Sequence, residues 1–201
     1  MTLFRDRYRI ETTRLSGWDY ATAGCYLVTI CTRDRVCSLG DAVNGEMRLS
    51  AAGEVVAEEW LKTTRLRHNV TLDEWVVMPN HFHGIVCIHD ENRQTWPVGV
   101  ETPRWGVSNR GGVSNRCGCD GQSRDVPPAR LYKGTLGSIV GQFKSICTKR
   151  ILAVGHPFAW QPRFHDRIIR DEKTLATVRA YIRNNPARWT TDRENPANAN
   201  T

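Results

Sequence analysis

The chain has 201 residues, 40% of them hydrophobic and 24% charged, and a formal net charge of +7, a composition that suits one globular domain over residues 1–201. No run approaches the roughly 18 apolar residues of a membrane helix, and the Arg-rich start from Met1 to Arg14 lacks the apolar stretch of a signal peptide, so a membrane span is excluded and a soluble, cytoplasmic protein is expected. Basic and acidic residues balance over 1–130, so the whole positive excess lies in 131–201, which suits either a polyanion groove or a merely solvated face.

In chain order, Gly24 to Thr32 is rich in β-branched and aromatic residues and predicts a strand, with Tyr26, Val28 and Ile30 on one side and Leu27 and Thr29 on the other. Ser50 is a plausible N-cap for a helix to about Arg67, with Val56, Trp60 and Leu66 on roughly one side. Leu72 to Met78 predicts a second strand, Pro79-Asn80 a bend, and His81 to Ile88 a third strand of period two. From about 90 to 130 the composition turns to Gly, Ser, Arg, Asn and Pro, and the words GVSNR at 106–110 and 112–116 repeat, which marks a low-complexity, flexible insertion. Thr135 to about Leu152 predicts a helix with Leu136, Ile139, Val140, Phe143, Ile146 and Cys147 on its apolar face and Lys144, Lys149 and Arg150 turned outward. Trp160 to Arg170 holds a short extended segment. Asp171 caps a last helix with Leu175, Val178 and Ile182 along its stripe, and Pro186 stops it. The order βα, ββ, α, β, α predicts an α+β fold with helices packed on an antiparallel sheet.

The seven cysteines are odd in number and mostly sit inside apolar runs, so they read as reduced core residues. Cys117 and Cys119 have no matching second pair and suit a loop better than a zinc site.

The chemistry lies in two short stretches. Strand alternation projects His81 and His83 to one side with Phe82 between them pointing into the core. Neutral imidazole is the commonest protein ligand for a divalent metal, so this triplet is half of a site, although the spacing alone equally fits two half-exposed strand histidines. On the last helix Tyr181 and Asn185 lie four apart and so share a face. A phenol can attack phosphorus, and an amide oxygen can be a third, hard ligand, while the simpler reading of Tyr181 is a helix tyrosine half-buried on the sheet. Asn185 precedes a proline, which predicts a backbone biased away from helical angles. Two imidazoles with oxygen donors suit Mg²⁺ or Mn²⁺ better than zinc.

The stretch WVVMPNHFHGIV at 75–86 resembles the HUH motif of the single-tyrosine transposases, and YIRNNP at 181–186 resembles their tyrosine-helix motif. GCYLVTICTR at 24–33 and WQPRF at 160–164 are similar to the REP-associated tyrosine transposase branch in particular. The resemblance implies a ferredoxin-like or RRM-like HUH endonuclease fold and a transposase that nicks and rejoins single-stranded DNA at or near hairpins. His81, His83 and Asn185 would hold Mg²⁺ or Mn²⁺, and Tyr181 would form a 5′-phosphotyrosine with release of a 3′-OH. It further implies a nucleoid-associated place and a possible homodimer. A catalytically idle hairpin-binding protein of the same fold is the alternative. Lys144, Lys149, Arg150, Arg163, Arg167, Arg170 and Arg183 are the candidate DNA-binding cations, with Arg179 and Arg188 also available for phosphate contacts. Trp105, Tyr132 and Trp189 are candidates for base stacking. His165-Asp166 reads as a partly buried structural pair rather than a further ligand.

Overall fold

The structure is a computed structural model that describes residues 18–90, 134–192 and 194–198, with the backbone of the two-residue strands β1 (Leu3–Phe4) and β2 (Arg7–Tyr8). The insertion expected at about 90–130, with Cys117, Cys119 and Trp105, and also Tyr132, lies outside the described residues.

Four strands form one antiparallel sheet: β3 (Gly24–Cys31), β6 (Val70–Val77), β7 (His81–Ile88) and β8 (His165–Ile169), in the spatial order β6-β7-β3-β8. With α1 (Ala51–Leu66) between β3 and β6, and α2 (Leu136–Ala153) between β7 and β8, the connectivity is the βαββαβ of ferredoxin-like folds. A small hairpin of β4 (Gly40–Val43) and β5 (Glu46–Leu49) precedes α1, and α3 (Glu172–Asn184) follows β8.

The helices begin where short polar side chains satisfy their first free amides. Ser50 accepts from the Gly53 amide, Thr135 from Ser138 and Asp171 from Thr174. The sheet is covered on both faces because successive side chains alternate. Tyr26, Val28, Ile30, Phe82 and Val86 point to one face, where they pack with Val56 and Trp60 of α1 and Leu136, Val140 and Phe143 of α2. Ile85, Cys87 and Ile169 point to the other, where Leu175, Val178 and Ile182 of α3 close over them.

Gly84 shows how tightly the first face is built. A Cβ there would stand 2.6 Å from Trp60 Cζ2 and 2.8 Å from Phe82 Cε1, closer than packed atoms tolerate, so the strand carries no side chain where the indole crosses it.

Three expectations need correction. Leu66 is 43% exposed rather than part of the buried side of α1, because at about 3.6 residues per turn it lies well round the helix from the stripe of Val56, Trp60 and Thr63. Cys25 and Cys87 face each other across β3 and β7 and form a disulfide, so the chain is not uniformly reduced; Cys31, Cys37 and Cys147 are free thiols. Asn185 keeps helical angles, φ −61° and ψ −44°. Its amide bonds Ile182 O and its carbonyl accepts from the Arg188 amide; α3 itself ends at Asn184, just before Pro186 as expected, and Pro186 opens a short 3₁₀ turn at Pro186–Thr191.

Candidate active site

His81 and His83 leave the sheet on the α3 face, at the start of β7. They are 0% and 4% exposed, so neither is a half-exposed strand histidine. Their rings lie 4.6 Å apart, centroid to centroid. His83 Nδ1 is 2.8 Å from Thr29 Oγ1 on the neighbouring strand, and its Nε2 is 3.2 Å from the Tyr181 hydroxyl of α3. His81 Nδ1 is 2.9 Å from Asn80 Oδ1. His81 Nε2 and Asn185 Oδ1 are buried with no hydrogen-bond partner.

Burial dominates the electrostatics. Desolvation takes His81 down to about 4, against a smaller upward pull from Asp192, and takes His83 well below the ordinary imidazole value with further repulsion from His81. Both rings are therefore neutral at pH 7, with lone pairs available. Burial also raises the Tyr181 phenol; the Asn185 side chain opposes this, and the carboxylates of Asp192 and Glu194 add to it. The phenol is a neutral donor, and His83 Nε2 is the acceptor in reach.

A buried acceptor without a partner costs roughly 1–3 kcal/mol. Two such atoms beside a neutral imidazole pair make a donor set of two nitrogens and one amide oxygen, which fits a small divalent cation with open positions for oxygen ligands. Among the described residues no group of three His, Cys, Asp or Glu side chains is arranged to hold a metal, and the Asn185 amide oxygen is the further donor that could stand beside the two imidazoles.

The acid response follows from these values. An unfolded imidazole titrates near 6.5, whereas His81 does so at about 4 in the fold. Its contribution is fully present above pH 6.5 and is lost as pH falls through 4, because the unfolded chain binds the proton first. The expected loss from His81 is on the order of 3 kcal/mol across that window. It is read as a fall in the urea midpoint between pH 7 and 4.5 that is smaller in His81→Gln; identical pH slopes in the two proteins would contradict a buried neutral ring.

The structure brings Tyr181, His81, His83 and Asn185 together from β7 and α3. The candidate cations divide. Arg163, Arg167 and Arg170 are exposed along β8 and its flanks. Arg167 pairs in register with Leu27, which places it on the α3 face. His165 is exposed on that face too, in register with Thr29 and so two strands from His83, about 10 Å. Asp166, in register with Val28, faces the other way, so His165-Asp166 is not a partly buried pair. Lys144 is turned inward to donate to Gln161 O (2.5 Å) and Arg163 O (3.2 Å). Lys149 is exposed on α2 in the opposite layer, and Arg150 there joins α2 to Glu58 and Glu59 of α1. Arg183 lies 3.6 Å from the buried Glu74, Arg179 is bound to Asp73, and Arg188 is exposed. Trp189 is half-buried with its ring 6.0 Å from that of His81.

Sequence reasoning missed Thr29, Asn80 and Asp73. Thr29 was legible as sharing a face with Leu27, but its partner is 54 residues away.

No protein-family model matches the chain. A Haemophilus influenzae protein that is itself uncharacterised is 31% identical over 184 residues, covering 90% of this chain and 91% of that one. The solved structure of a REP-associated tyrosine transposase bound to a REP hairpin superimposes with a TM-score of 0.53 at 19% identity, covering 89% of this chain and 74% of that one. The second likeness is one of fold.

Proposed function

We propose that this chain, which belongs to the same family as the Haemophilus influenzae protein, is a tyrosine transposase that nicks and rejoins single-stranded DNA at or near hairpins. The observation that supports this reading is the Tyr181 hydroxyl 3.2 Å from a buried, neutral His83, beside the unpartnered Nε2 of His81 and Oδ1 of Asn185. The fold shared with a hairpin-bound tyrosine transposase supports it further.

In this reading His83 Nε2 holds the phenol at the site by accepting its hydrogen bond until the cation takes that same lone pair, so the two contacts alternate rather than coexist. The Tyr181 oxygen forms a bond to a backbone phosphorus as the bond from that phosphorus to the 3′ oxygen breaks. The products are a 5′-phosphotyrosine and a 3′-OH, whose oxygen takes up, directly or through solvent, the proton that the phenol gives up. Rejoining runs the same exchange backwards with another 3′-OH, so the phosphodiester energy is kept in the tyrosine ester. His81, His83 and Asn185 would hold Mg²⁺ or Mn²⁺, which when bound supplies Lewis-acid stabilisation of the charge on the phosphate oxygens. Tyr181 is 43% exposed, so a strand can reach it. The exposed Arg163, Arg167 and Arg170 would hold that strand's phosphates along the β8 edge, and Trp189 offers a ring for stacking.

The test is incubation of the protein with labelled single-stranded hairpin DNA from its genomic neighbourhood, with Mn²⁺ or with EDTA, on a denaturing gel. A covalent band that needs the metal is expected. Tight binding with no band on any hairpin would replace this reading with a hairpin-binding protein that does no chemistry.

A further inference from the structure

Asn80 stands at the bend between β6 and β7, 1% exposed, and its side chain touches two distant parts of the chain as well as the next residue. Its Nδ2 donates to Arg35 O at 3.1 Å and to Glu194 O at 2.7 Å. Its Oδ1 lies 2.9 Å from His81 Nδ1. Its main-chain carbonyl accepts from the Thr32 amide (2.8 Å) and the Thr32 hydroxyl (2.9 Å), which holds the bend itself in place.

These contacts leave the amide one orientation. Turned over, its oxygen would face two carbonyl oxygens that have no proton to offer. With both N–H groups spent on Arg35 and Glu194, Oδ1 must face His81, and an amide oxygen only accepts. His81 Nδ1 therefore carries the proton and Nε2 carries the lone pair. That Nε2 is buried without a hydrogen-bond partner, as is Asn185 Oδ1.

We infer that Asn80 is a positioning residue that holds His81 in the tautomer with a bare Nε2, and that the segment around Glu194 is part of the site because its carbonyl orients Asn80. This rests on the reading of His81 as a metal ligand given above. Groups one step out from the metal fix both the tautomer and the ring angle of a ligating histidine, and their removal typically costs roughly 10- to 100-fold in metal affinity.

The experiment reads the tautomer directly, by ¹⁵N NMR of the imidazoles, and separately reads Mn²⁺ affinity, in the wild-type chain, Asn80→Ala and Asn80→Asp. Wild type is expected to show His81 protonated on Nδ1. Asn80→Ala is expected to lose that preference and to bind Mn²⁺ roughly 10- to 100-fold more weakly. Asn80→Asp keeps the acceptor and removes both donors, so it is expected to keep the tautomer while loosening the segment around Glu194, seen as faster amide exchange there; it also serves if the alanine variant does not fold. A wild-type His81 protonated on Nε2 overturns the inference, as does an Asn80→Ala protein with unchanged tautomer and Mn²⁺ affinity within twofold. A wild-type chain that binds no Mn²⁺ sinks the metal reading instead, and the tautomer spectra still decide the role of Asn80.

Discussion

Tyr181→Phe is expected to bind hairpin DNA with wild-type affinity and to form no covalent adduct. The substitution removes one oxygen from a side chain whose ring is held 5.2 Å from that of His83, so the packing of α3 is kept while the attacking atom is lost. Removal of a nucleophile from a catalytic unit costs on the order of 10⁶-fold in rate, and the adduct itself has no other atom to form on. The same change frees His83 Nε2 from its hydrogen bond, so Mn²⁺ should bind no more weakly than to wild type. That arm separates a missing nucleophile from a collapsed site. An adduct that persisted in Tyr181→Phe would end the assignment of Tyr181.

Arg179→Ala is expected to lower stability by roughly 2–3 kcal/mol, below the roughly 3–5 kcal/mol of breaking a fully buried ion pair because the Arg179 side chain is 25% exposed while that of Asp73 is 8% exposed. The bulge between Leu72 and Trp75 in β6 leaves two consecutive acids, Asp73 and Glu74, buried beside α3. Arg179 answers Asp73 with two hydrogen bonds, Nε to Oδ1 at 2.8 Å and Nη2 to Oδ2 at 2.6 Å. Burial alone would raise the Asp73 carboxyl, but the Arg179 guanidinium, the Glu74 amide and the charge of Arg183 together hold it below the usual carboxylate range. This clamp lies two residues before Tyr181 on the same helix, so loosening it should reduce adduct formation more than DNA binding. Calorimetry of Arg179→Ala, Asp73→Ala and the double variant decides the matter. The double should lose far less than the two singles together. Strict additivity, or single losses below about 0.5 kcal/mol, would mark the pair as an ordinary surface contact.

The clamp also shows that the basic residues of the last third differ in their surroundings. Counting charges cannot tell a cation with an acceptor beside it from one that faces solvent. Arg150, Arg179 and Arg183 have carboxylates supplied by α1 and β6, and Lys144 has carbonyls. Arg167 in β8, which is an edge strand among the described residues, and Arg163 and Arg170 on its flanks are exposed.

What the sequence determined by itself is whatever depends on near neighbours along the chain. Period-two alternation put His81 and His83 on one face of β7 with Phe82 opposite, spacing of four put Tyr181 and Asn185 on one face of α3, and the caps at Ser50, Thr135 and Asp171 set where helices start. The tertiary structure alone decided the rest. It joined Cys25 to Cys87 across two strands, carried the α3 face onto the histidines, and brought Glu194 to Asn80 across 114 positions. Such contacts depend on which elements pair and pack, and no local periodicity encodes that choice, since the same exposed-looking Asp73, Asn80 or Arg179 would read alike wherever the sheet had placed it.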